Sequence, residues 1–184
     1  MGEERYETKE YAEYSDNVDY CLACFPPSDL VESIYNDTFC IDLKNTFLRL
    51  AGFDENFSKE VLKDNEKKKI LEVMKEMSPY HILKKMVENK DKKVLPPIFI
   101  GHGDSDSLIP YTEGKKMYDI LCEYNKKVLG DKNFNKVDMV TVLGADHEGT
   151  FWSKEMLDII FKFIEDNAST SDKNILLSQQ MNKL

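Results

Sequence analysis

Three short apolar runs constrain this chain more than any other feature: VDYCLACF (18–25), PPIFIG (96–101) and VDMVTVL (137–143). Each is too short for a helix and is closed by Pro, Gly or Asp, the pattern of strands covered on both faces in a parallel sheet. Between the second and third runs, the apolar positions Met117, Leu121, Tyr124 and Val128 recur at helical spacing, and Gly130 is suited to end that helix. After the third run, Ser153 can cap a helix whose apolar face is Met156, Ile159, Ile160, Phe163 and Ile164. Strand, helix, strand, helix is a βαβ pattern with a right-handed crossover, which makes the fold class α/β.

Residues 36–92 break the alternation. CIDLKNTFLRLAG (40–52) and EKKKILEVMKEM (66–77) carry helical spacing with no strand candidate between them, so this stretch is expected to be a helical insertion over one end of the sheet. The folded unit is expected over 18–166, preceded by a segment at 1–17. The residues at 167–184 lack a sustained apolar face and read as a flexible tail. A three-stranded parallel sheet leaves the strand at 18–25 with an open edge. Such sheets normally carry more strands, so the chain reads as the second half of a larger sheet. Its edge invites self-association or pairing with a complementary N-terminal half.

With 184 residues, 41% hydrophobic and 11% aromatic, the chain can bury a core. Its 25 basic against 34 acidic residues give a net charge of −9 with no basic block, which argues against nucleic acid or an anionic membrane surface as partner. No apolar run approaches the roughly 20 residues of a membrane span, and the first residues lack the apolar core of a signal peptide. The acidic balance and unpaired cysteines fit a reducing cytosol. Cys21 and Cys24 have CxxC spacing, but in a strand a three-residue offset places them on opposite faces, and no second CxxC or CxxH completes a site. The residues therefore call for no metal and no cofactor.

Chemistry concentrates in two loops. In HGDSDSLIP (102–110), Asp106 follows the second strand by a short turn; in GADHEG (144–149), His147 follows the third. Ligands of open α/β sheets gather beyond the carboxyl ends of the strands. If the two strands are neighbours, Asp106 can accept the Nδ1 proton of His147, fix its tautomer and leave Nε2 as a general base. An acid in a turn or a histidine in a loop is ordinary when taken singly. At the tips of consecutive strands the two read as a catalytic pair.

These loops also carry a family resemblance. PPIFIGHGDSDSLIPYTEGKKMYDIL resembles the acid-bearing strand and loop of α/β-hydrolases, with Asp106 rather than Asp104 at the acid position, and GADHEGTFW resembles their histidine loop. YSDNVDYCLACFPPSDL resembles the strand after the nucleophile helix in the esterase branch that includes acetyl and feruloyl esterases, and MSPYHIL resembles the segment that leads back from the insertion. The resemblance spans about 15 to 165 and implies the C-terminal portion of an α/β-hydrolase fold. That portion is a partial parallel sheet of about three strands flanked by helices, with the insertion as a lid. It further implies a serine hydrolase of carboxylic esters in which Asp106 and His147 are the acid and base of a Ser-Asp-His triad. Phe25, Tyr111 and Trp152 are candidates to line the substrate pocket. Prolyl-oligopeptidase-like peptidases share these two loops, which leaves a peptide substrate as the alternative.

The nucleophile is the departure. The family order is nucleophile, acid, histidine, with the nucleophile in a G-x-S-x-G turn, and this sequence contains neither that motif nor its Cys counterpart. Ser105 and Ser107 sit in the acid loop, and Ser28 follows a strand without a helix capped by small residues behind it. The expectation is that the nucleophile and oxyanion loop lie upstream of Met1 and that this chain alone has negligible esterase activity. Loss of triad members costs about 10⁴ to 10⁶ in rate. Two rivals stand beside this reading. One is a non-catalytic hydrolase-like binding module. The other is a Mg²⁺-dependent phosphatase of the haloacid-dehalogenase type, suggested by the DSD at 104–106 but lacking an acid directly at the strand end.

Overall fold

The computed structural model describes residues 17–53, 68–130 and 135–168. Strands β1 (Cys21–Cys24), β2 (Ile98–Gly103) and β3 (Val137–Val142) form one parallel sheet in the order β1-β2-β3. Cys21 pairs with Ile98 and Ile98 with Val137, and the register continues to Cys24 with Gly101 and to Gly103 with Val142. β2 is central and every one of its residues is buried.

Each strand is trimmed or shifted from its apolar run for a local reason. β1 is shorter than 18–25 because Phe25 turns the chain at φ +53°. β2 begins at Ile98, since Pro96 and Pro97 have no N–H to give to a ladder, and it runs on through His102 and Gly103, which pair with Thr141 and Val142.

Helices cover both faces. α4 (Pro79–Asn89) and α5 (Tyr111–Tyr124) lie on one, where Leu83, Met117, Ile120, Leu121 and Tyr124 pack on Ile98 and Ile100. α6 (Lys154–Asn167) lies on the other, where Met156, Ile160 and Phe163 pack with Phe99 and Phe151. Ser153 caps α6, its hydroxyl accepting the Met156 N–H at 3.1 Å. The buried stripe of α6 is narrower than the sequence suggested, because Ile159 stays 44% exposed. α5 gives way at Tyr124 to a π-helical turn (Asn125–Leu129) that ends at Gly130, and Asn125 exchanges two hydrogen bonds with the backbone of Asn135 just before β3.

Cys21 joins the α4/α5 side and Cys24 the α6 side, as strand alternation requires, and both are free thiols. Burial pushes both thiols up, away from the thiolate form.

The stretch between β1 and α4 holds α1 (Leu30–Tyr35), α2 (Ile41–Leu50) and α3 (Lys68–Met77), with no strand among the described residues. Ile34, Phe39, Phe47, Leu48, Ile70 and Met74 form a core of their own, which Ile109 from the acid loop joins. The short helix behind Ser28 was not anticipated; Asp29 caps it by accepting the Glu32 N–H at 2.9 Å. No described helix is long and apolar enough to cross a membrane. The segment at 1–16 and the tail from 169 lie outside the described residues.

Candidate active site

The loops after β2 and β3 meet at the carboxyl end of the sheet and are stitched together by hydrogen bonds. The Asp104 N–H donates to the Val142 carbonyl, the Ser105 N–H to the Ala145 carbonyl, and the Gly144 N–H to Asp104 Oδ1. Asp146 Oδ1 accepts from the Ser107 N–H at 2.7 Å, the Ser107 hydroxyl at 2.8 Å and the His147 N–H at 2.7 Å. The Ser107 backbone N–H, followed by that of His147, holds the Asp146 carboxyl below the usual carboxylate range.

This close meeting depends on Gly103. A Cβ on it would stand 2.2 Å from the Ala145 carbonyl oxygen, so only glycine lets the histidine loop lie against the end of β2.

The sequence-predicted pair comes together at this point. His147 Nδ1 lies 2.9 Å from Asp106 Oδ2. The other carboxylate oxygen, Oδ1, accepts the N–H groups of Leu108 at 2.9 Å and Ile109 at 2.8 Å. The Asp106 side chain is wholly buried, and these donors replace the water that a buried carboxylate would otherwise demand. A carboxylate can only accept, so the bond to Asp106 takes the proton on Nδ1, and an uncharged imidazole held this way presents a bare Nε2. Nε2 bonds to no other described side chain, and the imidazole is 22% exposed. The arrangement can take a proton from a hydroxyl or water placed at Nε2 and return it.

The three predicted pocket residues separate in space. Phe25 lies at the end of β1 with its ring 4.5 Å from that of His147. It also packs edge-on against Phe151 and Trp152, and it is only 7% exposed. Trp152 is 44% exposed and forms the open rim of this cluster. Tyr111, at the start of α5, lies edge-on to His102 and shares a hydrogen bond with the Thr141 hydroxyl at 2.9 Å. Its contacts are thus with the strands that carry the loops rather than with the imidazole.

Several residues around the pair escaped sequence reasoning. His102 is fully buried on β2, 3.4 Å from Asp106 Oδ2. Glu113 is buried on α5; its Oε2 accepts the N–H groups of Ser28 and Asp29 at 2.9 and 2.7 Å, and the Ser28 hydroxyl donates to the Glu113 carbonyl. Ser78 closes the same clip, accepting the Leu30 N–H and donating to the Met74 carbonyl, while the Tyr80 N–H donates to the Ser28 carbonyl. Lys116 completes it against Asp29, Glu32 and Glu113. Burial works to lower the Lys116 ammonium, but the bond to Glu32 and the charges of Glu113 and Asp29 outweigh it and hold the group above the usual lysine range. The start of the helical stretch is therefore fastened to α5, and its far end, at Ser78 and Tyr80, is fastened to that start. The only hint in the sequence was a Glu at an apolar position of α5's inward face.

The carboxylates of the DSD segment diverge: Asp104 is bound to Gly144 and Asp106 to His147. Among the described residues no group of three or more His, Cys, Asp or Glu side chains is arranged to hold a metal ion. Ser28 is buried under Glu113, and Ser107 is bound to Asp146.

No family model matches the chain, and no curated protein matches it. Among solved structures the chain is similar to a truncated form of a carbohydrate esterase from gut microbiota, with 20% sequence identity and a TM-score of 0.48. That alignment covers 86% of this chain and 46% of the other, so the chain spans about half the length of the structure it matches.

Proposed function

We propose that Asp106 and His147 are the acid and base of a Ser-Asp-His hydrolase acting on carboxylic esters, with the nucleophile supplied from outside the described residues. One observation carries this reading: a buried carboxylate orients an imidazole at 2.9 Å, at the carboxyl ends of neighbouring parallel strands, and no described residue bonds its Nε2. In the reaction His147 Nε2 takes the proton of the attacking hydroxyl, Asp106 stabilises the imidazolium, and the proton returns to the leaving alcohol. Phe25 and Trp152 border the imidazole and are proposed to meet the substrate.

The nucleophile-bearing partner is proposed to lie along β1, an edge strand of the described sheet, because a strand added there ends beside Phe25 and hence beside His147. The helical stretch at 36–92 is proposed as a lid that selects the ester. The absence of a described hydroxyl or thiol at Nε2 also favours a second reading, a non-catalytic hydrolase-like binding module.

The test is co-expression of this chain with the product of the coding sequence immediately upstream of it, followed by assay on short-chain p-nitrophenyl esters. Hydrolysis abolished by His147→Ala and by Asp106→Asn supports the proposal. Hydrolysis indifferent to both changes overturns it, and an upstream frame with no G-x-S-x-G segment favours the binding module. This chain alone is expected to give negligible turnover; His147-dependent turnover by the chain alone would refute the supplied nucleophile.

A further inference from the structure

Asp106 is touched by a second imidazole. His102 Nε2 lies 2.9 Å from the Ile109 carbonyl oxygen and 3.4 Å from Asp106 Oδ2, and the side chain is completely buried. The Ile109 carbonyl can only accept, so Nε2 carries the proton. Among the described residues Nδ1 has no hydrogen-bond partner, and it faces Gly114, where a Cβ would come within 2.5 Å of it. Glycine at 114 therefore seals the bare nitrogen away from water and holds the ring in one orientation. Phe25 closes the other side, its ring edge-on to His102 at 5.9 Å and also touching His147.

The contacts form a loop. Asp106 Oδ1 accepts the Ile109 N–H, the Ile109 carbonyl accepts the His102 N–H, and the same proton faces Asp106 Oδ2, which accepts from His147. A phenyl ring in place of the imidazole would fill the space but leave the Ile109 carbonyl unpaired in the interior and remove one of the donors facing Oδ2. We propose that His102 is a positioning residue: a neutral imidazole, protonated on Nε2, that fixes the 106–109 loop and thereby aims Asp106 Oδ2 at His147. The inference rests on the acid–base reading of the pair, yet it can be tested without turnover.

The chain has three histidines, so ring-nitrogen NMR of the full labelled chain resolves each of them. In the unmodified protein His102 is expected to show a protonated Nε2 and a bare Nδ1; a protonated Nδ1 overturns the proposal. The His147 Nδ1 proton, bonded to a carboxylate, is expected as a far-downfield resonance that Asp106→Asn abolishes. His102→Phe is expected to lose that resonance while keeping a dispersed amide spectrum, and His102→Gln, which can again present a donor, is expected to restore it. A folded His102→Phe protein with the resonance unchanged overturns the proposal. If His102→Phe does not fold, the Gln variant and the unmodified ring pattern decide. If the co-expressed enzyme is inactive although the resonance responds as expected, the catalytic reading fails and the positioning role stands. If it is active and the resonance is indifferent to His102→Phe, the catalytic reading stands and the positioning role fails.

Discussion

The loop after β3 can approach β2 only because residue 103 has no side chain: a methyl group there meets the Ala145 carbonyl, which is backbone and cannot rotate away. Gly103→Ala is therefore expected to cost roughly 1–3 kcal/mol, the usual range for overpacking, and to weaken the His147 Nδ1–H resonance; urea unfolding and the imidazole spectrum check the two parts. Asp146 acts at the same scale. Its carboxyl is held below the usual range by the Ser107 and His147 N–H groups, so its contribution is full above the unfolded-state value of about 3.9 and fades as pH falls through the lower folded-state value. Asp146→Asn is accordingly expected to destabilise at neutral pH, with the gap to the unmodified protein closing below about pH 4; denaturation curves from pH 2 to 7 measure it. Asp106 and His147 were legible from their places after apolar runs. Asp146 and His102 were not, because their importance lies in partners that no spacing rule connects to them.

Among elements, the clip on Glu113 joins α5 to the start of the helical stretch, and Ser78 ties the far end of the stretch to the same point. Glu113→Gln replaces a carboxylate that accepts from four donors by a half-donor group, with an expected cost of about 2–4 kcal/mol. Lys116→Met should cost less, since it removes only the donor to Oε1 while the Ser28 and Asp29 amides still bond Oε2. The Lys116 ammonium is held above its ordinary range, so its contribution is complete below about pH 10.4 and is lost only as pH rises through the higher folded-state value. The Lys116→Met difference should thus persist from neutral to moderately alkaline pH in thermal melts. The helical stretch and the acid loop are also coupled through Ile109, buried among Ile34, Phe47 and Met74 while its N–H binds Asp106. Ile109→Ala is expected to cost about 2–4 kcal/mol and to loosen Asp106 as well, seen as faster solvent exchange of the His147 Nδ1 proton. α2, α3, α5 and α6 were readable from their periodicity, and α4 only as part of the helical insertion expected at 36–92. α1 was missed because six residues are too few to show a period, and it is held by its Asp29 cap and its packing rather than by its own pattern.

For the whole molecule the sheet has β1 and β3 at its edges, and β1 carries Leu22, 37% exposed, on a side that α6 leaves partly bare. An open strand edge with apolar neighbours pairs readily. Concentration-dependent association is expected in size-exclusion chromatography, reduced by Leu22→Lys; a monomer at every concentration would count against a partner at β1. At this scale, local pattern alone was enough for the α/β class, the parallel strands and the order acid before histidine, because apolar runs and helical periods are properties of contiguous residues. It could not supply the stitching of the two loops, the imidazole behind Asp106 or the Glu113 clip. Those depend on which backbone atoms come within about 3 Å after the strands pair and the helices pack, distances that arise between residues far apart in the chain and leave no periodic trace in it.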